Sequence, residues 1–135
     1  MKLFLSKIIL FSCVATNFFI GYCQINVPNS PFLKILGTVQ DGGLPHIGCQ
    51  KTCCKNPSLE LKQRLKVTAL SVTQPKINST LLFEATPDII SQWNLLENIP
   101  SAIFLTHAHM GHYSGLIHLG REALGAQNIP VYAMP

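Results

Sequence analysis

Charge is scarce in this chain. Only 12% of its 135 residues are Asp, Glu, Lys or Arg, and six acidic side chains face ten basic ones. No run of lysines and arginines is interleaved with aromatics, which removes the electrostatic footprint of a nucleic-acid binder. No internal repeat or low-complexity tract occurs. Also missing is an unbroken apolar stretch of the roughly 20 residues that a bilayer-spanning helix needs. The most apolar segment, Ile8 to Tyr22, is shorter and follows Lys2 and Lys7. Gly21 and Cys23 then place small residues at the −3 and −1 positions before Gln24. A basic start, an apolar middle and a small-residue cleavage site are the layout of a secretory signal peptide. The expected organisation is a leader over 1–23 and a folded part over 24–135, exported to the periplasm or secreted, with no stable membrane anchor after cleavage.

Cleavage would leave three of the five cysteines, Cys49, Cys53 and Cys54. Two readings stand for them. With His46 just ahead they could form a small structural zinc knot, which needs four ligands. In an oxidising compartment they could instead form one disulfide and leave a free thiol. Neither reading makes them catalytic.

The rest of the chain alternates strand and helix signals. Phe32 to Val39 is rich in β-formers and reads as a first strand, and the segment from Gln40 to Pro57, with Asp41-Gly42-Gly43 and Pro45, reads as a loop. Arg64 to Thr73 and Thr80 to Ala85 read as a hairpin. Thr86-Pro87-Asp88 is a helix start, with Thr86 as cap and Pro87 in the first turn. That helix is expected to turn Ile89, Ile90, Trp93 and Leu96 inward and to stop before Pro100. A buried strand over 102–105, a second helix over about 113–124 and a strand beginning near Ile129 complete the pattern. Hairpin-linked strands followed by strand–helix–strand indicate an α/β layered fold. With the last strand only beginning near Pro135, the chain reads as the N-terminal half of a longer domain, one sheet face uncovered.

The most informative stretch is Thr106-His107-Ala108-His109-Met110-Gly111-His112, which holds three of the five histidines directly after that buried strand. On extended backbone, positions i and i+2 point to one side, so His107 and His109 project together from the strand's carboxyl end. His112, three residues on at the start of a helix, can swing back to the same point. Imidazole is the commonest side-chain metal ligand, and strand ends are where α/β folds build sites. The candidate metal ligands are therefore His107, His109 and His112. His118 lies further along the helix, off that face, and reads as structural. The sequon at Asn78 is sufficiently explained by a turn.

This stretch resembles the HxHxDH signature of the metallo-β-lactamase superfamily. Gly42-Gly43-Leu44-Pro45, the cysteine cluster and Leu82-Phe83-Glu84-Ala85-Thr86-Pro87-Asp88 resemble a subgroup similar to coenzyme PQQ synthesis protein B. The resemblance covers roughly residues 33–135. It implies the N-terminal half of an αββα sandwich, with His107 and His109 as ligands of a first metal and His112 as a ligand of a second. It also exposes a departure, because the acidic ligand of the second metal would stand at 111 and this chain has Gly111.

The activity implied is metal-dependent hydrolysis of an ester, amide, lactone or phosphodiester in a small-molecule substrate, with one or two zinc ions and no residue of this chain as a nucleophile. Iron-dependent oxidation in the manner of the PQQ subgroup is the runner-up, and a non-catalytic protein with a degraded metal site is the third reading. Two acidic residues are candidates for support behind the ligands. Glu84, at a strand end, could orient a ligand or simply reach solvent. For Asp41, beside two glycines, capping of its own turn is preferred to a place at the site.

Overall fold

A computed structural model describes residues 29–135. The leader expected over 1–23 lies outside the described residues. Five strands form one sheet in chain order: β1 (Phe32–Gly37), β2 (Ala69–Gln74), β3 (Ser79–Phe83), β4 (Ala102–Leu105) and β5 (Val131–Ala133). The first three pair antiparallel, and β4 and β5 then add in parallel. Parallel neighbours require crossover connections. The first carries α2 (Ile89–Trp93), and the second carries α3 (Met110–Tyr113) followed by a 3-10 turn over Ser114–Leu119.

Both crossovers lie on one face, where Leu36, Ala69, Leu82, Ala85, Ile89 and Ile103 form the buried core. Trp93, Leu96, Leu116 and Leu119 pack over it from the crossovers. The opposite face is apolar and open among the described residues. Phe83, Phe104 and Tyr132 stack across neighbouring strands with ring centroids 5.2 and 4.9 Å apart, and Leu33 and Ile35 on β1 are 56% and 66% exposed. Among the described residues no helix is long and apolar enough to cross a membrane.

Several expectations shift. β4 occupies the expected 102–105, but the hairpin arm expected from Arg64 begins only at Ala69. Ahead of it Leu59–Arg64 forms α1, capped by Ser58, whose Oγ accepts from Leu61 N. Residues 66–68 are held instead by the end of the first strand: Thr38 and Val39 donate to Lys66 O, and Thr68 N donates to Val39 O. Thr86 does not cap the following helix directly. Its Oγ1 accepts from Asp88 N at 3.0 Å and donates to Gln92 Oε1 at 2.6 Å, and Asp88 holds the cap position. Gln92 is therefore buried on the inner side, its Nε2 donating to Val67 O at 2.7 Å, while Ile90 points out. The second helix begins earlier and is less regular than expected, because its backbone is pulled against the end of β3. Gly115 N donates to Ala85 O at 2.8 Å, and a Cβ at Gly115 would lie 2.1 Å from Thr86 O. Only glycine permits that approach.

Candidate metal centre

The carboxyl ends of β3 and β4 and the loop after β1 meet at one edge of the sheet. From β4, Thr106 turns the chain out and His107 follows; His109 then occupies the N-cap position of α3 without a side-chain bond to the helix, and His112 sits in its first turn. The helix is tied down by Ala85 N, which donates to His112 O at 2.8 Å. His112 is thereby 7% exposed, whereas His107 and His109 face solvent. The imidazoles of His107 and His112 have centroids 4.0 Å apart, and those of His107 and His109 are 4.6 Å apart. All three rings gather beyond the tip of β4, but residues 107–108 form a bend, so it is not the expected extended backbone that brings His107 and His109 together.

The residue that closes the group comes from elsewhere. Asp41 Oδ1 accepts from His112 Nε2 at 2.9 Å, and Asp41 Oδ2 accepts from His109 Nδ1 at 3.0 Å. Asp41, His107 and His112 each offer a ligand atom, and those atoms lie within 4.8 Å of one another. The preferred reading of Asp41 as a cap for its own turn is overturned. Gln40 serves that turn: its Oε1 accepts from Gly42 N, its Nε2 donates to Gly43 O, and its carbonyl accepts from Gly43 N. The Asp41 carboxyl is held below the usual carboxylate range by the bond from His112 and, after it, by that from His109.

Glu84 stands behind His112. It is 5% exposed and does not reach solvent, its Oε2 lies 3.1 Å from His112 Nδ1, and both its oxygens face Thr106 N at 3.3 and 3.4 Å. The angle at His112 Nδ1 misses hydrogen-bond geometry, leaving that buried nitrogen without a bonded partner. Glu84 also holds φ at 75°, in the left-handed region. Such a backbone costs a residue with a Cβ on the order of 1–3 kcal/mol and concentrates at functional sites. A buried carboxylate facing the far nitrogen of an imidazole is the arrangement that fixes ring orientation behind a metal.

The donor set suits a divalent cation. Zinc bonds of about 2.0–2.1 Å place tetrahedral ligand atoms a little over 3 Å apart, near the 2.9–3.1 Å of three contacts here: His112 Nε2 to Asp41 Oδ1, His109 Nδ1 to Asp41 Oδ2, and His107 Nε2 to His109 Nδ1. His109 Nδ1 faces both Asp41 Oδ2 and His107 Nε2. One hydrogen on that nitrogen cannot serve both partners well, whereas lone pairs directed at a cation would not compete for it. A cleft of about 360 Å³ opens beside His107, lined also by Leu105, Thr106 and Tyr113. An apolar cavity of about 340 Å³ lies apart, between α2 and the 3-10 turn, and there His118 is a lining residue remote from the cluster.

The cysteines take the disulfide reading. Cys49 and Cys54 are bonded with Cα atoms 5.9 Å apart, and Cys53 is a free, exposed thiol. His46 does not join them; its Nδ1 contacts Ile47 O at 2.9 Å.

The fold is that of the metallo-β-lactamase superfamily. The chain is similar to a diphosphatase of the PhnP family, with 26% identity, a TM-score of 0.58 and coverage of 76% of this chain and 41% of that one. It is similar to Zn2+-bound PqqB from Methylobacterium extorquens, with 25% identity, a TM-score of 0.59 and coverage of 76% of this chain and 37% of that one. Both are metallo-β-lactamase family members. The chain thus spans about two fifths of the length of these solved relatives. No protein-family model matches it, and neither does any curated protein.

Proposed function

We propose that this chain carries the metal-binding part of a metal-dependent hydrolase acting on a small molecule outside the cytoplasm. The observation that carries the reading is the convergence of His107, His112 and a carboxylate within 4.8 Å at the end of a β-strand, on a fold shared with a diphosphatase and a zinc-bound protein. His107 and His109 are the exposed imidazoles that would hold an ion toward the cleft, and His112 would hold it from the buried side. The chemistry such an ion supplies is a water acidified to a pKa of about 7 and polarisation of a carbonyl or phosphoryl oxygen. Around it, Glu84 stands 3.1 Å behind the far nitrogen of His112, and the bond between Ala85 N and His112 O anchors the helix that carries it. The open side of the cleft beside His107 admits substrate.

Esters, lactones, amides and phosphodiesters are the substrate classes to be screened. The test is hydrolysis by the full-length protein with added zinc, abolished by a chelator and restored by the metal. Hydrolysis indifferent to chelation, or a protein that takes up no divalent metal, would contradict the reading. Iron-dependent oxidation, implied by the sequence resemblance to the PQQ synthesis subgroup, is the second reading, distinguished by iron in place of zinc in the purified protein.

A further inference from the structure

We propose that Asp41 is the carboxylate ligand of this centre, carried by the loop after β1 into the space that Gly111 leaves free. The proposal rests on the metal-dependent reading above and adds to it the residue that completes the ligand set.

Three observations carry it. The first is steric. A Cβ built on Gly111 would lie 2.4 Å from Asp41 Cα and 2.6 Å from both Asp41 Cβ and Asp41 O. These are backbone and near-backbone atoms, so no rotamer change relieves the overlap. A side chain at 111 and the Asp41 loop exclude each other, and the chain has the loop. The absent acid at 111 is therefore one half of an exchange, whose other half is an acid 70 positions earlier in sequence (111 against 41).

The second observation is direction. The loop is fixed independently of the histidines by the Gln40 side chain on one side and by the pairing of Val39 with Val67 on the other. Among the described residues the Asp41 carboxylate bonds nothing in its own loop. Its two oxygens are bonded to His112 Nε2 and His109 Nδ1. A side chain kept only for the turn would face its own backbone.

The third is chemistry. Three neutral imidazoles offer lone pairs but no charge to offset a divalent cation, and a carboxylate supplies that charge as well as a hard oxygen donor. Glu84 is unsuited to the task because His112 stands between it and the cluster, with Nδ1 toward Glu84 and Nε2 toward Asp41. Asp41 is the acid that reaches the ligating side of His112.

The test uses the full-length protein stripped of metal and titrated with zinc or cobalt alone. Wild type is compared with Asp41→Asn, which keeps shape and loses charge, and with Asp41→Cys, which offers a different donor. Direct ligation predicts that Asp41→Asn loses a metal equivalent or at least about 100-fold in zinc affinity, the upper end of what a supporting residue contributes. It also predicts that Asp41→Cys keeps the metal and adds a thiolate-to-cobalt charge-transfer band absent from wild type. A purely structural Asp41 could not produce that band. Asp41→Asn binding zinc like wild type, with no new band in Asp41→Cys, would overturn the assignment and leave the hydrolase reading standing. A wild type that binds no metal would overturn both.

Discussion

Among the described residues two places gather three metal-capable side chains within the same 4.8 Å, Asp41 with His107 and His112, and Cys49 with Cys53 and Cys54. They differ in what lies behind them. The cysteines sit on a loop where only Cys54 is buried, and two of the three have closed on each other as a disulfide. The histidine group stands where two strands end, with a buried glutamate behind one ring and main-chain bonds holding the helix that carries it. Proximity of donors is thus common to a covalent staple and a candidate metal centre. The surrounding support, charge and access to a cleft separate them.

That contrast can be broken at several points. His112→Ala removes a donor and leaves Glu84 buried beside empty space. Zinc titration should show the metal lost or weakened by at least about 100-fold, while Cys53→Ser leaves it unchanged. Equal losses from both would erase the distinction. Glu84→Gln keeps the shape behind His112 and removes the charge, so zinc affinity should fall by about 10- to 100-fold, read in the same titration. Cys49→Ser opens a loop with a sequence separation of only 5, for which loop closure is worth about 2 kcal/mol. Denaturant unfolding should register that loss while the zinc count holds.

The smallest effect is a pH dependence in the metal-free protein. The bond from His112, and then that from His109, lower the Asp41 pKa in the folded state. A group depressed on folding contributes stability above its unfolded pKa, and that contribution disappears as pH falls through the lowered folded value. Melting points of wild type and Asp41→Asn should therefore differ by a constant amount near neutrality and converge on acidification below the ordinary carboxylate range. A gap that widened in acid would have the wrong sign.

How much of this was legible beforehand follows the range of the interactions. β4 is readable because a short apolar run bounded by turns is a local signal, and the histidines after it stand out as a cluster, although a bend at 107–108 and not strand alternation brings their rings together. Ser58 ahead of Leu59–Arg64 was a local cap that went unused, and the strand expected from Arg64 displaced it. Gln92, outside the inward set expected of its helix, is buried because its Nε2 donates to Val67 O, a partner 25 positions away. Asp41 is a candidate from sequence, but there its turn role outweighs a place at the site. Beside two glycines it looks like any turn aspartate, and nothing near it in sequence points to His112, 71 positions away. The usable hint lay at the other end of the contact, where a motif that resembles an acid-bearing one has glycine instead. A missing side chain in a close-packed turn invites the question of what fills its place.

The central claim is that His107, His112 and Asp41 share one ion. Anomalous difference density recorded at the zinc edge from crystals of the full-length protein grown with zinc tests it most directly. The account predicts a peak within bonding distance, about 2.0–2.2 Å, of His107, His112 and Asp41. A peak at the cysteines alone, or none beside the histidines, would contradict it.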